Sequence, residues 1–238
     1  MSGHSKWHSI KHQKAAADAK KGAIFTRMAR NISIAAREGG GDPDANFKLR
    51  IAVDQARSVN VPKENIERAI KRGTGEGNET QLTEAVFEGY GPGGVAIIIQ
   101  VVTDNNNRAV SDVRNTLSKH GGSLGESGSV KWNFEQKGVI RLSLDAIDRE
   151  AVELGAIDAG ADDTKAEDGA LVITTSPKNT QRLKEALEAK GISIEYAGIE
   201  FIAKNTVDIT EDQKQKLETL TDALDELEDV NDYYTNEA

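Results

Sequence analysis

Apolar residues recur at steps of three and four positions over the first third of the chain, which is the spacing of amphipathic helices. Over residues 14–37 the recurring residues are Phe25, Met28, Ile32 and Ala36. A second helix is predicted from about Asp44, with Leu49, Ala52, Ala56 and Val59 buried. A third helix is predicted from Pro62 to Gly73, because proline favours a first helical position and glycine a helix end. The pattern therefore predicts a small bundle of three helices.

A different pattern begins after the Gly-rich residues 73–81, which are predicted to form a linker. Short apolar runs bounded by glycine indicate strands, and one helical repeat lies between them. The predicted elements are strands over 85–90, 95–102 and 130–134, and a helix from near Asp104 to Gly121.

From Gly138 onward the predicted order is strand, helix, strand, strand, helix, strand, with Asp145 capping the first helix and a hairpin turn at Asp168-Gly169. That alternation is the split βαβ arrangement of a ferredoxin-like fold. A last helix begins at the capping box Thr210-Glu211-Asp212-Gln213 and carries leucines at core spacing. Because residues 82–137 contain only one predicted helix, we expect this last helix to pack against them.

The order of these elements predicts an α+β protein in which one domain is inserted into another. The predicted domains are a basic helical domain at 1–75, a discontinuous α+β domain at 76–137 plus 205–238, and an inserted ferredoxin-like domain at 138–204.

Charge adds a functional hypothesis for the helical domain. Residues 1–73 carry 15 Lys and Arg against 7 Asp and Glu, whereas the rest of the chain carries 15 against 32. The whole-chain pI near 5.1 therefore conceals a basic module attached to an acidic body. Lys and Arg that neutralise phosphates release condensed counterions, which drives nucleic-acid binding that is independent of sequence. A solvated basic face that binds nothing is the alternative.

The predicted helices place many of these cations together. On a helical wheel Lys20, Arg27, Arg30 and Arg37 fall within an arc of about 100° that faces away from the apolar stripe. Near the N-terminus, lysines and histidines interleave with Trp7, a composition that suits phosphate contact and base stacking. The candidate nucleic-acid-binding residues are His4, Lys6, Trp7, Lys11, Lys14, Lys20, Lys21, Arg27, Arg30, Arg37, Arg50, Arg57, Lys71 and Arg72.

The polar run from Thr103 to Arg108 is a possible second contact. Asn and Asp cap helices, but one cap requires one such residue rather than four. A polar cluster at a helix N-terminus can hold an RNA or protein backbone, and an over-capped turn is the alternative. The candidate residues are Asn105, Asn106, Asn107 and Arg108.

Two further patterns resemble binding motifs. His4, His8 and His12 have metal-ligand spacing on a helix, but the interleaved lysines repel a cation and no acidic residue precedes Asp18. The short turn at Pro62 resembles a helix-turn-helix, but Glu64 and Glu67 lie where base edges would be read. We therefore expect no metal or other cofactor, and phosphate contact rather than base readout.

Catalytic motifs are weak. Residues 121–125 match the G-x-S-x-G nucleophile elbow, but they follow a helix and no histidine occurs after position 120 to act as a base. The Gly-rich runs near 73–77 and 89–94 lack the Gly-Lys-Ser/Thr ending of a P-loop. We therefore expect a protein that is not an enzyme.

Composition indicates the cellular compartment in which the protein is expected. The chain has no cysteine, so neither disulfides nor thiolate zinc sites are possible. No apolar run of signal-peptide length opens the sequence, and residues 95–102, the longest apolar stretch, are too few to span a bilayer. We expect a cytoplasmic protein that does not bind membranes.

Several strings together resemble the YebC/PmpR family, and they occur in order over essentially the whole chain. These are Ser2-Gly3-His4-Ser5-Lys6-Trp7, Phe25-Thr26-Arg27, Val61-Pro62-Lys63-Glu64-Asn65-Ile66 with Gly73-Thr74-Gly75, Tyr90-Gly91-Pro92-Gly93-Gly94, and Thr103-Asp104-Asn105-Asn106-Asn107-Arg108. The resemblance implies an N-terminal three-helix domain followed by two ferredoxin-like α/β sandwich domains. It also implies a non-enzymatic role in gene expression, carried by the N-terminal residues, the basic face of the first helix and the Asn105–Arg108 turn.

Members of that family are commonly described as DNA-binding transcriptional regulators. Others, including the mitochondrial translational activator of cytochrome c oxidase, are linked to the ribosome and to relief of stalling at consecutive prolines. We therefore expect a monomeric, nucleic-acid-binding regulator of gene expression whose polymer is DNA, as the family description favours, or structured RNA, as the poor fit to a groove-reading helix favours. A ribosome-associated factor that binds ribosomal RNA is the alternative, and a purely protein-binding adaptor is the third hypothesis.

Overall fold

The structure, a computed structural model, describes residues 18–76, 82–144, 148–167 and 169–238, with side chains from Gly22 onward. The chain divides into two compact units, residues 1–133 with 203–238 and residues 134–202. The two are called unit 1 and unit 2 below. No helix in the described ranges is both long enough and apolar enough to cross a bilayer.

Unit 1 opens with a helical module of α1 (Asp18–Gly39), α2 (Phe47–Ser58) and α3 (Lys63–Gly73). Its core contains the predicted apolar residues, with Ile32, Leu49 and Ala56 almost fully buried. Asn46 caps α2 by accepting from the Leu49 N–H at 3.1 Å, and its amide donates to the carbonyls of Ala35 (2.7 Å) and Gly40 (2.8 Å). The same side chain therefore begins α2 and fixes the end of α1.

α1 and α3 approach each other closely at Gly73. A Cβ on that residue would lie 2.2 Å from the Ser33 carbonyl oxygen and 2.7 Å from the Ala36 Cβ. The Ser33 hydroxyl also donates to the Ala69 carbonyl at 2.8 Å. Glycine at this position is therefore required by helix packing, in addition to its expected role as a helix terminator.

The second part of unit 1 is a four-stranded sheet in the order β3-β1-β2-β8, covered on one face by two helices. Strands β1 and β2 pair antiparallel from Thr83 opposite Thr103 to Tyr90 opposite Ala96. Side chains such as Ile97, Leu117 and Leu220 form one buried core between the sheet and the helices. The elements are β1 (Thr83–Tyr90), β2 (Ala96–Thr103), α4 (Asn106–Lys119), β3 (Ser123–Leu124), α7 (Glu211–Asp225) and β8 (Val230–Thr235).

Unit 2 contains a sheet in the order β5-β6-β4-β7, which is the ferredoxin-like strand order. Its core includes Ile140, Leu171 and Leu183. The elements are β4 (Phe134–Ser143), α5 (Arg149–Asp158), β5 (Asp163–Glu167), β6 (Ala170–Thr175), α6 (Thr180–Ala189) and β7 (Tyr196–Ala203). Helices followed by two four-stranded α/β sheets confirm the predicted fold class, while the predicted domain boundaries stay a prediction.

The structure can be compared with the local predictions at several elements. The strand predicted over 130–134 is wrong: residues 131–133 form a 3-10 turn, and the strand is Phe134–Ser143. The prediction failed because the Glu88 carboxylate binds the N–H groups of Val130 and Lys131, which are then unavailable to a β-ladder. α5 is capped by Asp148, whereas Asp145 and Asp168 lie outside the described residues. The last helix packs on the first sheet as predicted, but β8 was not predicted.

Candidate nucleic-acid interface

Arg27, on the predicted basic face of α1, is buried. Its side chain is 8% exposed, its Nη2 donates to the Asp225 carbonyl at 3.1 Å, and its Nη1 lies 3.8 Å from the Asp225 carboxylate. Burial lowers the pKa of Arg27, and the nearby Asp225 carboxylate opposes that shift. The Arg27 guanidinium therefore holds α1 against the C-terminal end of α7.

Arg30 and Arg37 extend this contact along α1. The Arg30 guanidinium lies 3.2 Å from the Asp229 carboxylate and 2.8 Å from that of Glu228. It also donates to the Glu228 carbonyl at 2.5 Å. Arg37 donates to the Leu82 carbonyl at the start of the first sheet.

The contacts of these three arginines show that the basic face of α1 is directed at other residues of unit 1. The arginines do face away from the stripe that packs on α2 and α3, but the surface they face belongs to the acidic part of the same unit. Ile34 shares that side of α1 and packs with Leu82 and Val102. α1 is thus buried on two sides, and the prediction that Arg27, Arg30 and Arg37 form an open phosphate-binding face does not fit their contacts.

The Asn105–Arg108 turn is also held within unit 1. The Asn105 side chain caps α4 by accepting from the Arg108 N–H at 3.1 Å. Arg108 pairs with Asp229 and with Asp104, at 2.8 Å in each case. Hydrogen bonds from Arg108 lower the pKa of Asp104, while those to Asp229, and then to Asp104, raise the pKa of Arg108.

Asn106 and Asn107 differ from their neighbours. Both are exposed, and within the described ranges neither side chain makes a hydrogen bond. A pocket of about 170 Å³ lies beside the turn, between Arg108 and Leu227. That volume is small compared with the several hundred Å³ typical of small-molecule sites, so we assign it no ligand.

The remaining helical cations lie on α2 and α3. Arg50 donates to the carbonyls of Pro43 and Asp44, and Arg57 lies 3.7 Å from Asp54. Lys71 is exposed and, among the described residues, has no ion-pair partner. Arg68, one turn before it, is likewise exposed and without an ion-pair partner in those ranges. Arg72 is half-buried on the same helix.

Several other residues predicted to bind nucleic acid lie outside the part of the chain that the structure describes. His4, Lys6, Trp7, Lys11 and Lys14 are outside the described residues, as are the side chains of Lys20 and Lys21. The histidine cluster at 4, 8 and 12 is outside them too. Within the described ranges, no group of three or more His, Cys, Asp or Glu side chains is arranged to hold a metal ion.

Arg68, Trp132 and Tyr90 are not among the candidate nucleic-acid-binding residues predicted from the sequence. Trp132 is 67% exposed and Tyr90 is 38% exposed, both on unit 1. The available signal was the scarcity of aromatic residues, which are 5% of the chain with only two tryptophans. Because aromatic residues are enriched at binding interfaces, an exposed tryptophan in so aromatic-poor a chain is a candidate contact residue.

A three-helix module docked through arginines onto a four-stranded α/β sheet, together with a separate ferredoxin-like unit, defines a modular α+β protein. Residues 5–76 match the family described as TACO1/YebC protein N-terminal domain, and residues 82–237 match the one described as TACO1/YebC second and third domain. The chain therefore belongs to the TACO1/YebC family, which confirms the resemblance seen in the sequence.

Full-length relatives carry regulatory names. A protein of Thermotoga maritima named "Probable transcriptional regulatory protein" is 50% identical over 99% of this chain and 93% of its own length. A protein of Pseudothermotoga lettingae with the same name is 49% identical, with the same coverage. The crystal structure of the conserved hypothetical protein Aq1575 from Aquifex aeolicus superimposes with a TM-score of 0.87 at 42% identity, covering 93% of this chain and 91% of that one.

Proposed function

We propose that this protein is a non-enzymatic, cytoplasmic regulator of gene expression that binds nucleic acid through its helical module. The observation that carries the proposal is the contrast between helices. The α1 arginines contact carboxylates and carbonyls of unit 1, whereas Arg68 and Lys71 on α3 are exposed and make no ion pair among the described residues. The regulatory names of the relatives support the same class of function.

The proposed interface is the exposed side of α3. The basic residues before Gly22, and Asn106 and Asn107 as a second contact, are proposed as further binding residues from the sequence alone. Arg68 and Lys71 are three positions apart, so they lie on one helix face. Cations in that arrangement suit the phosphates of a backbone. The α1 arginines, Arg50 and Arg108 are assigned to holding unit 1 together.

DNA is the target favoured by the names of the relatives, and structured RNA is the second candidate. The observation that favours RNA is the position of Glu64 and Glu67, which are exposed on the first turns of α3. A recognition helix reads bases with its N-terminal residues, where carboxylates repel the duplex backbone. Recognition of shape and backbone is the usual mode for folded RNA. A purely protein-binding adaptor is the third candidate.

Charge neutralisation tests the proposal directly. The variant Arg68→Ala/Lys71→Ala removes two open cations, and Lys178→Ala/Lys214→Ala removes two exposed lysines elsewhere as a control with the same change in net charge. Binding to duplex DNA and to purified ribosomes is measured over a range of salt concentrations. Loss of two phosphate contacts makes the log–log salt slope on duplex DNA less negative by about 1.8.

The result expected is weaker binding and a shallower slope for the α3 variant alone. Equal binding by the α3 variant, the control and the unaltered protein would contradict the proposed interface. Nuclease treatment then separates the targets. Sedimentation with ribosomes that survives removal of DNA favours the RNA candidate, and binding to DNA alone favours the transcriptional one. Binding of protein partners with an affinity that does not change with salt concentration favours the protein-binding adaptor.

A further inference from the structure

The loop between β3 and β4 is rigidly held although it has little regular structure. The Glu88 carboxylate accepts hydrogen bonds from the backbone N–H groups of Gly128 (2.7 Å), Val130 (2.8 Å) and Lys131 (2.8 Å). Glu88 itself is only 4% exposed. Charge-assisted bonds of this kind are among the stronger ones in proteins, so residues 128–131 are fixed to β1.

Two aromatic side chains converge on this loop at one oxygen atom. The Ser129 carbonyl accepts from the Trp132 indole N–H at 3.0 Å and from the Tyr90 hydroxyl at 3.1 Å. The polar ends of both rings are therefore already bonded to protein. Both residues nevertheless remain substantially exposed, and burying that apolar surface against another π-face is favourable.

Two lysines lie next to Trp132, one through a hydrogen bond and one as its neighbour in the chain. Lys204 donates to the Trp132 carbonyl at 3.2 Å, and its neighbour Asn205 is bonded to Asn133 through its backbone N–H at 3.1 Å. Lys131 precedes Trp132 and is exposed. Neither ammonium group forms an ion pair within the described part of the chain. Glu126 is the exposed carboxylate of the same loop.

We propose that Trp132 and Tyr90, with Lys131 and Lys204, bind a short stretch of single-stranded nucleic acid: an unpaired base stacks on the aromatic pair, and the lysines contact the flanking phosphates. Exposed aromatic rings interleaved with cations are the usual platform for single strands, because every base has a π-face. Protein interfaces, in contrast, are depleted in lysine. The inference rests on the proposed function and adds to it a site separate from α3.

Fluorescence gives a direct test, because the chain has only two tryptophans. In full-length protein carrying Trp7→Phe, all tryptophan emission arises from Trp132. Titration with a uridylate oligonucleotide of about ten residues should quench that emission, since about that length matches the sites of single-strand-binding folds. The same strand annealed to its complement should quench it much less, because its bases are already stacked.

Matched variants separate stacking from charge. Trp132→Ala is expected to weaken oligonucleotide binding about ten-fold, whereas Trp132→Phe, which keeps an aromatic ring, should retain most of it. Lys131→Ala/Lys204→Ala should make the log–log salt slope less negative by about 1.4 on single strands. Thermal unfolding midpoints within a degree or two of the unaltered protein establish that the fold is intact, as expected for exposed side chains.

Two results would overturn the inference. One is oligonucleotide affinity unchanged by Trp132→Ala. The other is a Trp132→Ala protein that loses a protein partner while binding the oligonucleotide normally, which would assign the surface to protein. Failure of the α3 proposal is distinguishable, because Arg68→Ala/Lys71→Ala tests duplex and ribosome binding, whereas Trp132 quenching reports this site alone.

Discussion

Arg30 and Asp229 lie 199 positions apart in the chain, and their charged groups are 3.2 Å apart in the structure. Asp229 also accepts from Arg108 at 2.8 Å and from the Thr103 hydroxyl at 2.9 Å. The carboxylate thus joins the helical module, the end of β2 and the start of α4. Its side chain is 10% exposed, so water contributes little to its solvation.

Replacing Asp229 should destabilise unit 1. Asp229→Asn keeps the size of the side chain but leaves Arg30 and Arg108 without their shared carboxylate. Breaking a buried charge pair typically costs about 3–5 kcal/mol, and because Arg108 is half exposed the expected loss is about 3 kcal/mol. Urea unfolding measures the change. Glu228→Ala is the control, because the Glu228 side chain is 73% exposed and its pair with Arg30 should contribute less than about 1 kcal/mol. Equal losses for the two variants would contradict this role of Asp229.

Gly73→Ala should destabilise the helical module, because the added methyl group would collide with the Ser33 carbonyl and the Ala36 side chain. Overpacking of this kind typically costs about 1–3 kcal/mol. Gly22→Ala makes the same substitution in α1, where, apart from the adjoining backbone of the helix, none of the described residues has an atom within 4 Å of the new Cβ. That variant should instead gain about 0.5–1 kcal/mol, since alanine restricts the unfolded chain and favours helix. Chemical denaturation of the two proteins should therefore show shifts of opposite sign, and a shared sign would refute the packing argument.

The hydrogen bonds between the Glu88 carboxylate and residues 128–131 should depend on pH. Burial alone would raise the pKa of Glu88, but the three backbone N–H donors outweigh it and the pKa is lowered. A carboxylate with a lowered pKa contributes stability above its unfolded pKa and loses it as the pH falls through the folded value. We therefore expect Trp132 emission in the Trp7→Phe protein to change below about pH 4, the acid side of the ordinary glutamate range.

Glu88→Gln removes the titrating group and supplies the matched control for that transition. Its amide oxygen can still accept hydrogen bonds, but its NH2 group takes the place of the second acceptor and presents a donor to a backbone N–H group that needs an acceptor. The variant should show faster hydrogen exchange at 128–131 near neutral pH and no acid transition in emission. Persistence of the transition in Glu88→Gln would assign it to another group.

In unit 2, Arg141 and Glu200 form a buried two-point ion pair with contacts of 2.5 and 2.8 Å, and Arg141 lies 5.0 Å from the Tyr196 ring centre. Glu200→Ala should destabilise unit 2 by about 3–5 kcal/mol by leaving a buried cation. Glu153→Ala, which breaks an i,i+4 pair with the half-exposed Arg149, should cost about 0.5 kcal/mol. The double variant Arg141→Met/Glu200→Leu should recover much of the lost stability, because it removes both buried charges. Calorimetry measures the stability of each variant. A double variant no more stable than Glu200→Ala would argue that desolvation of the Arg141 charge is not the cause of the loss.

Features that depend on contacts between residues close together in the chain were predicted, and features that depend on distant residues were not. Helical periodicity predicted α1 to α3 because Ile32, Leu49 and Ala56 are buried by neighbours within the same module. The strand predicted at 130–134 failed because its backbone donors bind Glu88, more than forty positions away. The partners of Arg27 and Arg30 lie nearly 200 positions further along the chain. A helical wheel shows which direction a side chain takes, but it cannot show what lies there.

The position of β8 has a consequence for biosynthesis. The strands of unit 2 are contiguous in sequence, so that unit can complete its sheet as soon as residue 203 has left the ribosome. The first sheet cannot, because β2 needs β8 on its open side, and Asn236 accepts a hydrogen bond from the Ala96 N–H at 2.7 Å. The segment made earlier must therefore wait, with the edge of β2 unpaired and its apolar face not yet covered by α7, until the later one emerges. Unit 2 can therefore complete its fold before unit 1 does, although most of unit 1 is synthesised first. Chaperone protection during translation should matter most for that early part of unit 1.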